Sequence, residues 1–401
     1  MAGPGYLMIG DEERKEVSEV LESGYLSRYG SDDDSRFKRK VLKLEDTVAE
    51  TIGVRYAFAV NSGTSALMAA LKGLGVGPGV EVLVPGYTWV ASIGAVVLLG
   101  GTPVLTEVDE SLTMDPDDTV KKVTEHTKVI LPVHILGYPA NMDRLSSIAN
   151  RHGLAILEDC CQSLGGEYRG NPLGSIGDAA AFSLNIFKTL TAGEGGFVTT
   201  NRREVYDRAY AFHDQGFMPR RRPIQKDDPL LVGMNMKINE LTAAFCLGQM
   251  TKLRDIITSL RKKKQLFRET VAKGGIQNIS FEALNDPGEC CVATTAFFSD
   301  AATAEQVAKA LGTRTLSGTG WHNYNNMDQL LAHVDESGQP LFERNSLPRT
   351  DDLLSRSVNV SIGVFNRGLG TEFGVSILST EEEVVETAEQ FVSIVKPIVD
   401  T

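Results

Sequence analysis

Between Tyr56 and Leu157 short apolar runs alternate with stretches of helical spacing, and no other feature constrains the fold as tightly. The runs Tyr56–Val60, Val82–Val84, Pro103–Val108, Val129–Val133 and Leu154–Leu157 are mostly apolar, as strands covered on both faces are. Ser65–Leu74, Ser92–Leu99 and Asp143–His152 read as helices between them. Strands joined through helices in this way predict an α/β fold with a mostly parallel central sheet. In such sheets ligands sit beyond the carboxyl ends of the strands. The residues that follow each run are therefore where chemistry is expected.

Four of those positions carry reactive or ligand-holding residue types. After Val60 comes Asn61-Ser62-Gly63-Thr64-Ser65, a hydroxyl-rich entry to a helix, where free N–H groups and the helix dipole attract an anion. After Val84 comes Trp89, a flat face for a planar ring. After Leu157 come Glu158 and Asp159, carboxylates that need a partner if buried. The fourth lies between the apolar runs Ala179–Leu184 and Phe197–Thr200, an irregular segment with Lys188 and the glycines Gly193, Gly195 and Gly196. Singly, each has a plain structural reading: a helix cap, a core tryptophan, a capping acid, a solvated lysine. Together they are an anion cradle, a stacking surface, a carboxylate and an amine, the parts that hold pyridoxal phosphate on a lysine.

The chain has 401 residues, enough for two domains, and the pattern weakens after about residue 240. The expected division is a large domain, 1–250, and a smaller α+β domain, 251–401. Further helices are predicted at Asp11–Ser23, stopped by Gly24, at Lys38–Gly53, at Lys252–Lys273 and at Thr380–Val395. The last has a capping-box pattern in Ser379 and Glu382. Tyr25–Arg36, with its acidic run Asp32–Asp34, reads as a loop, as does Pro219–Lys226 with Arg220, Arg221 and Arg222.

A net charge of -12 argues against a nucleic-acid partner. Five cysteines, Cys160, Cys161, Cys246, Cys290 and Cys291, match neither a disulfide framework nor a zinc pattern and suit a reducing cytosol. Neither a secretory signal nor a membrane-spanning run is recognisable. A cytoplasmic protein without metal is expected.

Five motifs at family-like spacing resemble the DegT/DnrJ/EryC1/StrS sugar aminotransferases of fold-type I. They are Asn61-Ser-Gly-Thr-Ser-Ala-Leu67, Pro85-Gly-Tyr-Thr-Trp-Val90, Glu158-Asp-Cys-Cys-Gln162, Phe182-Ser-Leu-Asn-Ile-Phe-Lys188 with Gly193-Glu-Gly-Gly196, and Gly233-Met-Asn-Met-Lys-Ile-Asn-Glu240. The resemblance implies that Lys188 is the Schiff-base lysine, Asp159 the partner of the pyridine nitrogen and Trp89 the cover of the ring. It implies cofactor contacts for Ser62, Gly63, Thr64, Ser65 and Ser183, with Gln162 near the ring hydroxyl. Asn235 would reach the phosphate of a neighbouring subunit, making a homodimer with shared active sites.

Two departures bear on substrate class: Lys237 where an arginine is usual, and Leu184–Phe187 where a histidine or glutamine is usual. Gly24–Tyr29 with Arg36, and Gly320–Met327, resemble the 8-amino-3,8-dideoxy-manno-octulosonate transaminase branch. That likeness makes Arg28, Tyr29, Arg36 and His322 substrate candidates. The implied reaction moves an amine from glutamate or glutamine to a keto or aldehyde carbon of a sugar, in secondary-metabolite or surface-saccharide biosynthesis. A cyclitol or aminoshikimate-type ring is the alternative acceptor. A sugar dehydratase on this scaffold would have histidine in place of Lys188, and a scaffold without catalysis would not require the full set.

Overall fold

The computed structural model describes residues 3–31, 33–334 and 338–400; Asp32 of the acidic run lies outside them. A central sheet contains β1 (Tyr56–Val60), β2 (Glu81–Pro85), β3 (Thr102–Thr106), β4 (Thr127–Ile130) and β5 (Ala155–Asp159). A short hairpin follows, β6 (Glu167–Tyr168) with β7 (Asn171–Pro172), and then β8 (Ala179–Ser183) and β9 (Gly196–Thr200) complete the sheet. Its order is β1-β9-β8-β5-β4-β2-β3. The strands run parallel except β9, which is antiparallel to both neighbours. β8 and β9 are buried along their whole length, each large apolar side chain there gaining ~1.5–3 kcal/mol over exposure.

This topology brings the functional segments to one edge. Because β1, β2, β5 and β8 point the same way, Ser62, Trp89, Asp159 and Lys188 all follow or end strands at that edge. β9 starts there, so the Lys188 loop leaves and re-enters the sheet on the same side.

A second sheet, β10 (Ser280–Phe281), β11 (Ala293–Phe297) and β12 (Ser357–Ser361), is antiparallel throughout. The helices Leu253–Lys273 and Glu381–Val399 pack on each other beside it. The last helix is capped by Thr380, whose Oγ1 accepts from the Glu383 amide at 3.2 Å, while Glu383 accepts from the Thr380 amide at 2.8 Å. The predicted Ser379–Glu382 box is thus corrected by one residue: the Ser379 hydroxyl instead accepts from the Ser376 amide at 3.1 Å. The helix also runs past Val395 to Val399. Among the described residues no helix is long and apolar enough to cross a membrane.

Candidate active site

The strand-end residues line one cavity of about 390 Å³, within the ~300–1,000 Å³ range of small-molecule sites. Ser62, Gly63, Thr64, Trp89, Asp159, Gln162, Ser183 and Lys188 all border it. Ser62 caps the helix Gly63–Gly73, accepting from the Ser65 amide at 3.0 Å, and Ser65 in turn donates to Asn61 Oδ1 at 2.6 Å. Ser65 therefore braces the cap without bordering the cavity. The helix start presents its N–H groups and dipole to the cavity, an anion site by construction. Gly63 is required by space: a Cβ there would stand 2.7 Å from Ser183 Cβ and 3.2 Å from Cys161 Sγ.

Asp159 is the last residue of β5. Its Oδ2 accepts from Ser92 Oγ at 2.7 Å and its Oδ1 from the Cys161 amide at 3.0 Å, so one rotamer is fixed. Ser92 lies in the first turn of the helix that Trp89 caps and shares a 2.7 Å contact with Thr88 Oγ1. Strand alternation sends Glu158 to the opposite face. There its carboxylate accepts from the amides of Gly174, Ile176 and Gly177 and from His134 Nε2 at 3.1 Å. Its donor atom lies near those of His134 and Cys160, but that carboxylate is already satisfied by amides.

Lys188 is held through its loop. The loop accepts from the Gly3 amide at Ile186 O, 3.0 Å, and Thr191 donates to Gln249 Oε1 at 3.2 Å. Gln249 is buried and donates to Glu13 Oε1 at 2.7 Å, and Glu13 also pairs with Lys252. Burial holds the Lys188 ammonium pKa below its ordinary value, opposed by Cys161, Asp159 and Glu194. A lysine that gives up its proton easily is suited to act as nucleophile and base.

The substrate candidates separate. His322 borders the same cavity, its ring 4.8 Å from that of Trp89. Its Nδ1–H donates to Gly368 O at 2.8 Å, which leaves Nε2 as an acceptor. Gln162 spends its Oε1 on the Leu136 amide at 2.9 Å, so its NH₂ faces His322 Nε2 at 3.4 Å. Burial, and then the charge of Lys188, push the His322 pKa down to about 3. It enters the site neutral.

Arg28, Tyr29 and Arg36 are not brought to this cavity. Arg28 is buried on Glu45 at 2.8 Å with His213 at 3.2 Å, and Tyr29 bonds Asp214. Arg36 pairs with Asp34 at 2.6 Å on the exposed loop. Each of these guanidinium groups has an anionic partner within this chain, and Arg28 also borders a second cavity. Asn235 borders this second cavity of about 380 Å³ together with Arg28 and Lys237; Glu194 borders both. Lys237 is itself paired with Asp214 at 2.6 Å.

Several site residues were not apparent in the sequence. Ser92, Gln249 and Gly3 act behind the cavity, and Val292, Val364, Asn366 and Gly368 reach it from beside the smaller sheet. Only Ser92 left a local signal, a hydroxyl one helical turn after Trp89.

A sheet edge carrying a lysine, a fixed carboxylate, an aromatic face and a helix-start anion site is the layout of fold-type I aminotransferases. The model of the DegT/DnrJ/EryC1/StrS aminotransferase family matches residues 7–365, and the chain belongs to that family. It is an aminotransferase. GDP-perosamine synthase of Escherichia coli O157:H7 is 34% identical over 261 residues, 65% of this chain and 68% of that one. The spore coat polysaccharide biosynthesis protein SpsC of Bacillus subtilis is 37% identical over 259 residues, 62% of this chain and 64% of its own. Among solved structures, 3-amino-5-hydroxybenzoic acid synthase superposes with a TM-score of 0.80 at 28% identity, covering 98% of this chain and 99% of its own.

Proposed function

We propose that this chain is a pyridoxal-phosphate-dependent aminotransferase that moves an amine from glutamate or glutamine to a keto or aldehyde carbon of a sugar or sugar-like compound. The observation that carries the reading is the meeting of Lys188 and the doubly bonded Asp159 in a cavity that ends on the Gly63 helix start. The donor set suits the cofactor: helix amides for its phosphate, Asp159 for its ring nitrogen, Trp89 and Gln162 for its ring and hydroxyl. Pyridoxal phosphate, when bound, supplies an electron sink for the carbon that carries the amine.

The chain's residues do the rest. Asp159 would hold a proton on the ring nitrogen of the bound cofactor. Lys188 Nζ would hold the cofactor and serve as the base that moves a proton at the substrate carbon. Trp89 and His322 narrow the cavity and exclude water. The names of the Escherichia coli and Bacillus relatives support a sugar acceptor for a surface saccharide. The likeness to 3-amino-5-hydroxybenzoic acid synthase supports a second reading, with a cyclitol or aminoshikimate-type ring as the acceptor.

The enzyme works as a cytosolic two-fold dimer in which Asn235 reaches the partner's phosphate, and the chain divides near residue 250 into a large and a small domain. Exposed Ile224, Leu230 and Val232 on the segment before Asn235 support a covering partner. A panel of amino sugars and amino cyclitols, tested for discharge of the loaded enzyme's visible absorbance, decides the acceptor. Discharge by sugars alone fits the first reading, discharge by cyclitols alone the second, and discharge by none sinks both.

A further inference from the structure

We propose that Asn359 is a positioning residue: with Thr295 and Tyr138 it fixes the spacing of two turns, so that His322 and Gln162 meet in the wall of the Lys188 cavity. This rests on the aminotransferase reading and deepens it, since Gln162 is the residue assigned to the cofactor's ring hydroxyl.

The two turns are Ile135–Gly137, followed by Tyr138, and Arg367–Leu369. Hydrogen bonds join them along two paths. The front path runs through the cavity wall. The Leu136 amide donates to Gln162 Oε1 at 2.9 Å, the Gln162 NH₂ group faces His322 Nε2 at 3.4 Å, and His322 Nδ1–H donates to Gly368 O at 2.8 Å. The rear path is made by side chains behind that wall. Tyr138 Oη lies 3.1 Å from Thr295 Oγ1, whose hydrogen goes to Asn359 Oδ1 at 2.6 Å, and Asn359 Nδ2 donates to Leu369 O at 2.8 Å. With the Thr295 hydrogen spent on Asn359, Tyr138 must be the donor to Thr295. All three bonds therefore run in one direction and strengthen one another.

Tyr138, Thr295 and Asn359 are all 0% exposed. Thr295 and Asn359 are cross-strand partners at the centre of β11 and β12, where an apolar pair would pack without needing hydrogen bonds. Burial, and then the charges of Glu282 and Glu289, push the Tyr138 phenol pKa well above its ordinary value, so it stays a donor. The rear path ends on Leu369, which borders the cavity beside Gly368. Its effect falls on the weakest link of the front path, the 3.4 Å contact between Gln162 and His322. That separation is already long for a hydrogen bond, so a small outward shift of the Arg367–Leu369 turn breaks it.

The test uses Asn359→Leu and Thr295→Val, two replacements of similar volume; should the first fail to fold, the second carries the same test. Magnetic resonance of isotope-labelled histidine rings reports which nitrogen of His322 holds its proton. Its signals among those of the six histidines are assigned by their loss in His322→Gln. Equilibrium dialysis measures pyridoxal phosphate affinity, and a urea titration measures stability.

Wild type is expected to show a single His322 form, protonated at Nδ1. Each variant should show the Nε2–H form as well, and a cofactor affinity lower by about 2- to 10-fold, the worth of one hydrogen bond. In a His322→Gln background Thr295→Val should add no further loss of affinity, because both act through one contact. A fall in the urea midpoint with His322 signals and cofactor affinity unchanged would reduce Asn359 to a structural role and overturn the proposal. Additive losses in the double variant overturn it too. Should the wild-type protein bind no pyridoxal phosphate, the aminotransferase reading fails, and the His322 signals of the empty protein still decide the role of Asn359.

Discussion

Replacing Gly63 by alanine tests whether the start of its helix is a phosphate cradle or only a cap. Two effects oppose each other. Alanine is the better helix former by about 0.5–1 kcal/mol, which favours the variant. The added Cβ would lie 2.7 Å from Ser183 Cβ and 3.1 Å from Ser183 Oγ, against an optimal carbon separation of ~3.5–4.0 Å. Ser183 ends the fully buried β8 and gives way poorly, so the helix start must move by roughly 1 Å. Overpacking of this kind costs about 1–3 kcal/mol. The net in the empty protein is a loss of about 0–2.5 kcal/mol, seen as a fall in the urea midpoint. The cofactor is affected in addition, because the displaced amides are those that would meet its phosphate. Pyridoxal phosphate affinity should fall about 5- to 150-fold, measured by equilibrium dialysis and by loss of the cofactor-induced thermal shift. A variant that binds cofactor within a factor of two of wild type would refute the cradle.

Ser92→Ala removes the donor to Asp159 Oδ2 and leaves a buried oxygen without that bond. A stability loss of about 1–3 kcal/mol is expected, and an unchanged urea midpoint would mean that water replaces the hydroxyl. His213 and His322 are both pushed down to about 3, by burial first and then by the charges of Arg28 and Lys188 respectively. With folded values below the ordinary 6.5, the unfolded chain takes up protons first. Their contribution to stability is complete above about pH 6.5 and is lost as pH falls toward 3, at up to ~1.4 kcal/mol per pH unit for each. The urea midpoint should fall between about pH 7.5 and 5.5, and less steeply in His213→Gln; a pH-independent midpoint would contradict this.

The cavity's strand-end residues were legible because the sheet rule is local. A residue just after a buried parallel strand faces the ligand edge whatever the rest of the chain does, and Ser62, Trp89, Asp159 and Lys188 each needed only their own strand to be recognised. Partners far apart in sequence were not legible. Nothing in Gly24–Tyr29 tells that Arg28 meets Glu45 and His213. Asn366 and Gly368 reach the cavity only after the chain has built a second sheet, and no short motif announces that. The capping box slipped by one residue because Ser379/Glu382 and Thr380/Glu383 satisfy the same pattern, and only the backbone geometry chooses between them.

Reduction of the cofactor-loaded protein with borohydride, followed by peptide mass mapping, bears most directly on the central claim. The account predicts one labelled peptide, carrying the cofactor on Lys188, and no covalent label and no yellow colour in Lys188→Ala. Label on a different lysine, or a Lys188→Ala protein that still bonds the cofactor covalently, would contradict it.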